Sequence, residues 1–335
     1  MTDMRKNLDE IRAGIALCQR VGAQTPNWVQ GGGGNVSWKD TLDSGAAVLF
    51  IKASGWRLDG VSEQGGLAAV YLEEFGKRMA AIPGSGADRE TQYAQAISGS
   101  SLAGEGAGSV GLKPGIMLSR PSMETGFHAL LPGRFVLHFH ALSSLLLFED
   151  HIHNVAMIDE ALAREGFDQV SWIPATMPGL ELSRAVGAHP DTQVFILQNH
   201  GVILHSDDSA ILDRWRRFES TWLGAHRLSS LSADNGTALM TEKALQTPTP
   251  LRFYFPDTAV FYDKLHHCLK DCRNKGSPDG IARYVLAREH RSNLDMAELW
   301  AATVALFAAR PKLAQLPPSI LEHVAGLPTE QFRRG

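Results

Sequence analysis

A chain of 335 residues, 44% of them hydrophobic, carries enough apolar material for a substantial core, arranged as one large domain or two smaller ones. Its 32 basic and 36 acidic residues leave a formal charge of −4, and no long basic run marks it as a partner of nucleic acid or of an anionic membrane. The longest apolar runs, 46–51 and 141–148, are too short to span a bilayer, and the N-terminus lacks the order of a signal peptide, so a cytoplasmic protein is expected.

Residues 5–22 are expected to form a helix, because Leu8, Ile11, Ile15, Leu17 and Cys18 make an apolar stripe. After a loop through Pro26, residues 29–40 and 46–55 read as two strands joined by a turn, and a helix is expected to begin near Glu63 or Gly66. Residues 83–117 are rich in Gly, Ser and Ala and read as an irregular connection holding a short helix near 90–98. A strand through 134–140, a helix within 150–165, a short strand near 170–175 and a helix over 179–190 follow. Residues 192–208 read as a strand, a tight corner at Asn199-His200-Gly201 and a returning strand. The next helix carries Ile211, Trp215, Phe218 and Trp222 at helical spacing, a core pattern. Further helices are expected around 257–274, 278–291 and 295–309, with a proline-rich bend at 316–319. Strands interleaved with helices indicate a mixed α/β layered domain. Cys18, Cys268 and Cys272 form no disulfide framework and read as reduced; Cys268 and Cys272 share a helix face with leucines that pack.

The segment RFVLHFHALSS, 134–144, sets two histidines two apart in an apolar run. In an extended chain Val136, His138 and His140 share one face, so the imidazoles are neighbours, either as metal ligands or as core histidines bonded to carbonyls. His200, beside a glycine at a strand end, points where the backbone fixes it. Three histidines from two strands match the donor set of a catalytic zinc, and Glu124 in SRPSMETGFH would then be a nearby acid/base. Alternatively, Ser122 or Thr125 caps a short helix and Glu124 is solvated. The GGGGN run at 31–35 offers either backbone N–H groups to an anion or a flexible strand entry; it completes neither the Walker nor the dinucleotide pattern. His128, four residues after Glu124, either orients that carboxylate or packs in the helix, while His151 and His153 read as solvated or structural.

The order Gly-Asn-Val-Ser, Ser-Gly, Pro-Ser-x-Glu-Thr, His-x-His and Asn-His-Gly resembles the class II aldolase/adducin family over about residues 5–230. The short path from Glu124 to His138 is similar to that in the aldolase half of bifunctional rhamnulose-1-phosphate aldolase/alcohol dehydrogenase proteins. The resemblance implies a three-layer α/β fold with a mixed, largely antiparallel central sheet flanked by helices. An aldolase/adducin domain is thus expected over 1–239, followed by a mainly helical extension over 240–335 packed on it, for which a cap over the cleft and an assembly surface are alternative roles. The resemblance also implies that His138, His140 and His200 bind Zn2+ or another divalent transition metal, that Glu124 is the catalytic acid/base, and that Asn35, Ser54, Gly55 and Ser122 surround a substrate phosphate. Met123 departs from the family pattern, which carries a hydroxyl residue there, and so puts phosphorylation of the substrate in doubt.

The activity so implied is reversible retro-aldol cleavage of a ketose phosphate or related sugar by a homo-oligomer, a tetramer by family resemblance. A sugar-phosphate epimerase, decarboxylase or dehydratase is the alternative on the same scaffold; glutamate rather than aspartate at 124 favours the aldolase. An adducin-like module without catalysis is the alternative of another class. A tyrosine from a neighbouring subunit often supplies the second acid/base in this family, for which Tyr254 and Tyr262 are candidates by location alone, and Tyr93 has no better claim.

Overall fold

The computed structural model describes residues 2–102, 116–232, 252–260 and 291–326. Seven strands form one sheet: β1 (Asn35–Thr41), β2 (Ala47–Lys52), β3 (Leu67–Tyr71), β4 (Phe135–Phe139), β5 (Val170–Ile173), β6 (Val194–Leu197) and β7 (Gly201–Ser206). Their order is β3-β2-β1-β4-β7-β6-β5, and every neighbouring pair is antiparallel except β5 with β6. The sheet is thus mixed and largely antiparallel, as expected.

Alternation along the strands separates two buried faces. Val36, Trp38, Leu137, Phe139, Ile196, Val202 and Leu204 point into the larger core, shared with α1 (Thr2–Gly22), α5 (Leu142–Arg164) and α7 (Ile211–Ala225). Val136, Phe195 and Ile203 point the other way, against Phe127 and Leu131 of the α4 region (α4, Thr125–Leu130) and Leu182 and Val186 of α6 (Leu180–Gly187). On that face, α2 (Leu72–Ala80) and α3 (Arg89–Gly99) also pack through Phe75, Met79, Tyr93 and Ile97. The result is helix, sheet, helix in three layers. Helix α1 comes close to β1 because Gly14 leaves room: a Cβ there would lie 2.4 Å from the Trp38 ring.

Two sequence expectations are corrected. Residues 67–71 form β3, and the helix starts only at Leu72, because Leu67–Tyr71 pairs in register with β2 and is buried from Leu67 to Val70. Local preference of Leu and Ala for helix yields here to ladder pairing and burial. Helix α5 starts at Leu142 rather than near residue 150 and is interrupted at Asn154, whose φ is −137°. His151 and His153 therefore lie within α5, and His151 stacks on Trp172 at 3.6 Å, a structural role. Along its outer edge β3 meets irregular backbone: Tyr71 N–H donates to Ser100 O, Leu102 N–H to Ala69 O and Ser119 N–H to Leu67 O.

The C-terminal elements are α8 (Pro256–Val260), α9 (Arg291–Ala309) and α10 (Pro318–Gly326). Met296, Leu299, Trp300 and Leu306 of α9 join the larger core. A buried ionic group ties α9 to the glycine-rich run: Arg57 donates to Asp295 at 2.8 Å and bidentately to Glu298 at 2.8 and 3.0 Å, and Glu298 also accepts the Gly31 N–H at 2.7 Å. Gly31 has φ +56°, which favours glycine. The expected boundary at 239/240, most of the 257–274 helix, the 278–291 helix, Tyr262, Cys268 and Cys272 lie outside the described residues. Among the described residues no helix is long and apolar enough to cross a membrane.

Candidate active site

The β1–β4 ladder sets the site. Asn35, at the start of β1, pairs in register with His138 of β4, and His140 follows just past the strand end. His200 arrives from the β6–β7 corner, where Asn199 turns the chain at φ +56°. Gly201 lets that corner close on β4, since a Cβ would lie 2.3 Å from Phe139 O and 3.0 Å from His140 Cα. The three imidazole centroids stand 4.9–5.0 Å apart. Glu124, the residue preceding α4, completes the group from the layer above.

All four side chains are buried, and one ligand atom from each lies within 4.8 Å of the others. Glu124 Oε1 is 3.4 Å from His138 Nε2 and 3.2 Å from His200 Nε2, and His138 Nε2 is 3.2 Å from His140 Nε2. Each of two rings meets an oxygen on its far side. Val202 O can only accept, so His138 Nδ1, at 3.0 Å, carries the proton; His140 Nδ1 lies against the Asp257 carboxylate. His138 thereby turns Nε2 toward the cluster, where His140 Nε2 lies at 3.2 Å and Glu124 Oε1 at 3.4 Å. Two imidazoles on one tetrahedral zinc, at about 2.0–2.1 Å each, would stand roughly 3.3 Å apart, which matches these separations. The cluster can hold a metal ion.

Charge follows the same logic. Burial, the largest influence, pushes His200 down to about 4 against the pull of Glu124, which leaves a neutral ring with a lone pair to give at neutral pH. Burial alone would raise the Glu124 carboxyl, but His138 and His200 hold it well below its usual range. Its second oxygen, Oε2, accepts from Asn35 Nδ2 at 2.5 Å.

A cavity of about 50 Å³ opens on the cluster, walled by Gly32–Asn35, Lys52, Ser54, Gly55, Ser122, Met123, Glu124, His140 and His200, and on the opposite side by Pro256, Asp257, Val260 and Val324. Asn35, Ser54, Gly55 and Ser122 are thus brought together with Glu124, His140 and His200; His138, fully buried, stands behind them. Ser122 Oγ accepts from Asn35 Nδ2 and from the Glu124 N–H, each at 3.2 Å; Glu124 itself is the N-cap residue of α4 and no side chain caps that helix, so neither the helix-capping reading nor a solvated Glu124 holds. His128 does not orient Glu124 by hydrogen bonding: its Nδ1 meets Ser37 Oγ at 2.7 Å, and burial, helped by the His138 charge, holds its pKa well below the usual value. The turn is pinned instead by Tyr93, whose hydroxyl donates to Met123 O at 2.7 Å and accepts the Gly126 N–H at 2.9 Å.

Two residues escaped the sequence reading. Lys52 ends an apolar strand, yet its ammonium is buried, donates to Gly32 O and Trp56 O, and lines the cavity. A lysine closing an apolar run, with only Ala53 between it and Ser54-Gly55, was the available signal. Asp257 had none, because its contact is with a residue far away along the chain. A second, wider cavity of about 460 Å³ shares Ser54, Ser122 and Met123 with the first and adds Arg120 and the apolar face of α3.

Residues 14–210 match the Class II Aldolase and Adducin N-terminal domain family, and this chain belongs to that family. No curated protein is significantly similar to it in sequence. Among solved structures it is similar to the N-terminal class II aldolase domain of a conserved protein from Thermoplasma acidophilum, at 20% identity over 68% of this chain and 92% of that one, with a TM-score of 0.46. An aldolase II superfamily protein from Pseudomonas syringae is 17% identical over 65% of this chain and 76% of that one, with a TM-score of 0.41. An L-fuculose-1-phosphate aldolase from Thermus thermophilus is 14% identical over 65% of this chain and 94% of that one, with a TM-score of 0.38.

Proposed function

We propose that the protein is a metal-dependent aldehyde-lyase that reversibly cleaves a ketose phosphate or related sugar to a three-carbon ketone phosphate and an aldehyde. The observation that carries this reading is the Glu124 carboxylate, fixed by Asn35 and facing two imidazole Nε2 atoms in a cavity lined with hydrogen-bond donors. His138, His140 and His200 would hold the metal, zinc or another divalent transition ion, with Glu124 as a further contact before substrate enters. Such an ion supplies Lewis-acid stabilisation to negative charge that develops on the carbonyl and hydroxyl oxygens of a ketose.

The chain's own groups do the rest. Glu124, ionised at neutral pH, takes and returns the proton at the carbon next to the carbonyl, and Asn35 keeps its second oxygen from swinging away. Lys52, Ser54, Gly55 and Ser122 bind the phosphate, with the ammonium offsetting the hydroxyl that Met123 removes. The small cavity has no room for a whole sugar, so the aldehyde half extends past Met123 into the wider cavity beside Arg120. A buried quartet of one carboxylate and three imidazoles serves no purpose in a binding module, which favours the enzyme over the adducin-like alternative. Assembly as a homo-oligomer, a tetramer by family resemblance, belongs to the same reading.

The test is metal content of protein purified without chelator, wild type against His138→Ala, followed by assay of ketose phosphates for carbonyl release. One zinc per chain in the wild type, lost in the variant, with carbonyl product from a ketose phosphate, supports the reading. Absence of metal after zinc is added back defeats it; conversion without cleavage assigns an epimerase or dehydratase instead.

A further inference from the structure

The donor set comes from the C-terminal end of β4, the β6–β7 corner and the residue preceding α4, all within the family-matched residues 14–210, but two of its histidines are supported from beyond them. His140 Nδ1 lies against Asp257 Oδ2 of α8, and this carboxylate is buried. The contact crosses Gly33: a Cβ there would lie 2.7 Å from Asp257 Oδ2 and 2.9 Å from His140 Nδ1, so only glycine lets the two meet. Beside His200, Asn199 Nδ2 donates to Tyr254 O at 3.2 Å and to Ala314 O at 2.8 Å, tying the other histidine's turn to the same C-terminal segment. Arg57, with Asp295 and Glu298, then fastens α9 to the glycine-rich run that carries Gly33.

We infer that Asp257 is a positioning residue of the metal centre, an outer carboxylate that fixes the tautomer and direction of His140, and that the C-terminal segment thereby completes a site the family-matched region does not finish by itself. The inference rests on the metal-centre reading above. A ligating imidazole whose second nitrogen donates to a carboxylate is held in one orientation and is a better donor, and loss of such a partner weakens metal binding by roughly 10- to 100-fold. The role is orientational: Asp257 acts on the site through its contact with His140.

The experiment measures zinc affinity of the full-length chain by competition with a chromophoric chelator, together with the visible absorption of the cobalt(II)-loaded protein. Asp257→Ala is expected to bind zinc about 10- to 100-fold more weakly while still reaching wild-type stoichiometry at saturation, with a shifted cobalt spectrum. Asp257→Asn, which keeps the shape and an accepting oxygen but loses the charge, is expected to fall between, and Gly33→Ala to move in the same direction by displacing Asp257. A merely structural role would leave the cobalt spectrum unchanged. Should Asp257→Ala fail to fold, as judged by circular dichroism, Asp257→Asn decides. Variants that hold zinc as tightly as the wild type, with the same spectrum, overturn the role of Asp257 and leave the metal centre standing; a wild type that binds no metal overturns both.

Discussion

Asn35 and His138 face each other across the β1–β4 pair, and Asn35 Nδ2 continues from there to Glu124 Oε2 at 2.5 Å. One ladder register thus fixes both a candidate ligand and the residue that aims the candidate acid/base. Asn35→Ala removes a hydrogen bond to a charged, buried acceptor, a loss of about 1.5–3 kcal/mol. Turnover is expected to fall roughly tenfold to a hundredfold, with zinc content kept. Parallel measurement of kcat and metal content checks this, and unchanged kcat would show that Glu124 needs no such holder.

Tyr93 brackets the same carboxylate from the other side through Met123 O and the Gly126 N–H. Tyr93→Phe leaves a buried N–H and a buried carbonyl without that partner, at a cost of about 1–3 kcal/mol. A lower unfolding midpoint in urea and a reduced kcat are expected together, with little change in KM.

The β6–β7 corner admits no side chain at Gly201. Gly201→Ala drives a Cβ into Phe139 O, 2.3 Å away, and must part β7 from β4. Overpacking of this kind costs about 1–3 kcal/mol. Since His138, His140 and His200 sit on the two sides of the parting, zinc affinity is expected to drop along with stability, which chelator competition and thermal melting would show.

Acid is expected to destabilise the metal-free protein. His200 has its folded-state pKa pushed down to about 4, and His128 is lowered as well, so between that value and about 6.5 the unfolded chain binds more protons than the folded one. Stability therefore falls as pH falls; His200 alone accounts for about 2 kcal/mol between pH 7.5 and 5. Glu124, whose pKa is lowered, adds its own loss below the usual carboxylate range. Urea unfolding in the presence of a chelator at the two pH values measures the effect, and equal stabilities would contradict neutral burial of these rings.

Lys52 gives a test of substrate charge. Lys52→Met is expected to raise KM for a phosphorylated ketose at least tenfold while leaving an unphosphorylated analogue unaffected. Equal effects on both substrates would remove Lys52 from the phosphate subsite.

Much of this was legible in the residues. A period of two put His138 and His140 on one face, and the Asn199-His200-Gly201 corner was visible from its turn chemistry. What was hidden follows from tertiary pairing. Leu67–Val70 reads locally as helix, yet pairing with β2 makes it a strand. The helix expected within 150–165 already starts at Leu142, directly after the histidine strand. Asp257 and Lys52 act through partners that no local pattern announces: one meets a histidine brought to it by the fold, the other turns a charged end toward a cavity from within an apolar strand.

The irregular backbone along β3 has a wider meaning. Ser100, Leu102 and Ser119 occupy hydrogen-bonding positions that an outermost strand would otherwise offer to a neighbour, so no second sheet can zip onto this side. At the other margin β5 spans only Val170–Ile173 and gives little length for templating. Among the described residues the sheet is guarded at both margins against strand addition, so any contact between copies of this chain would run through helices and loops and leave the sheet, and the histidines registered on it, undisturbed.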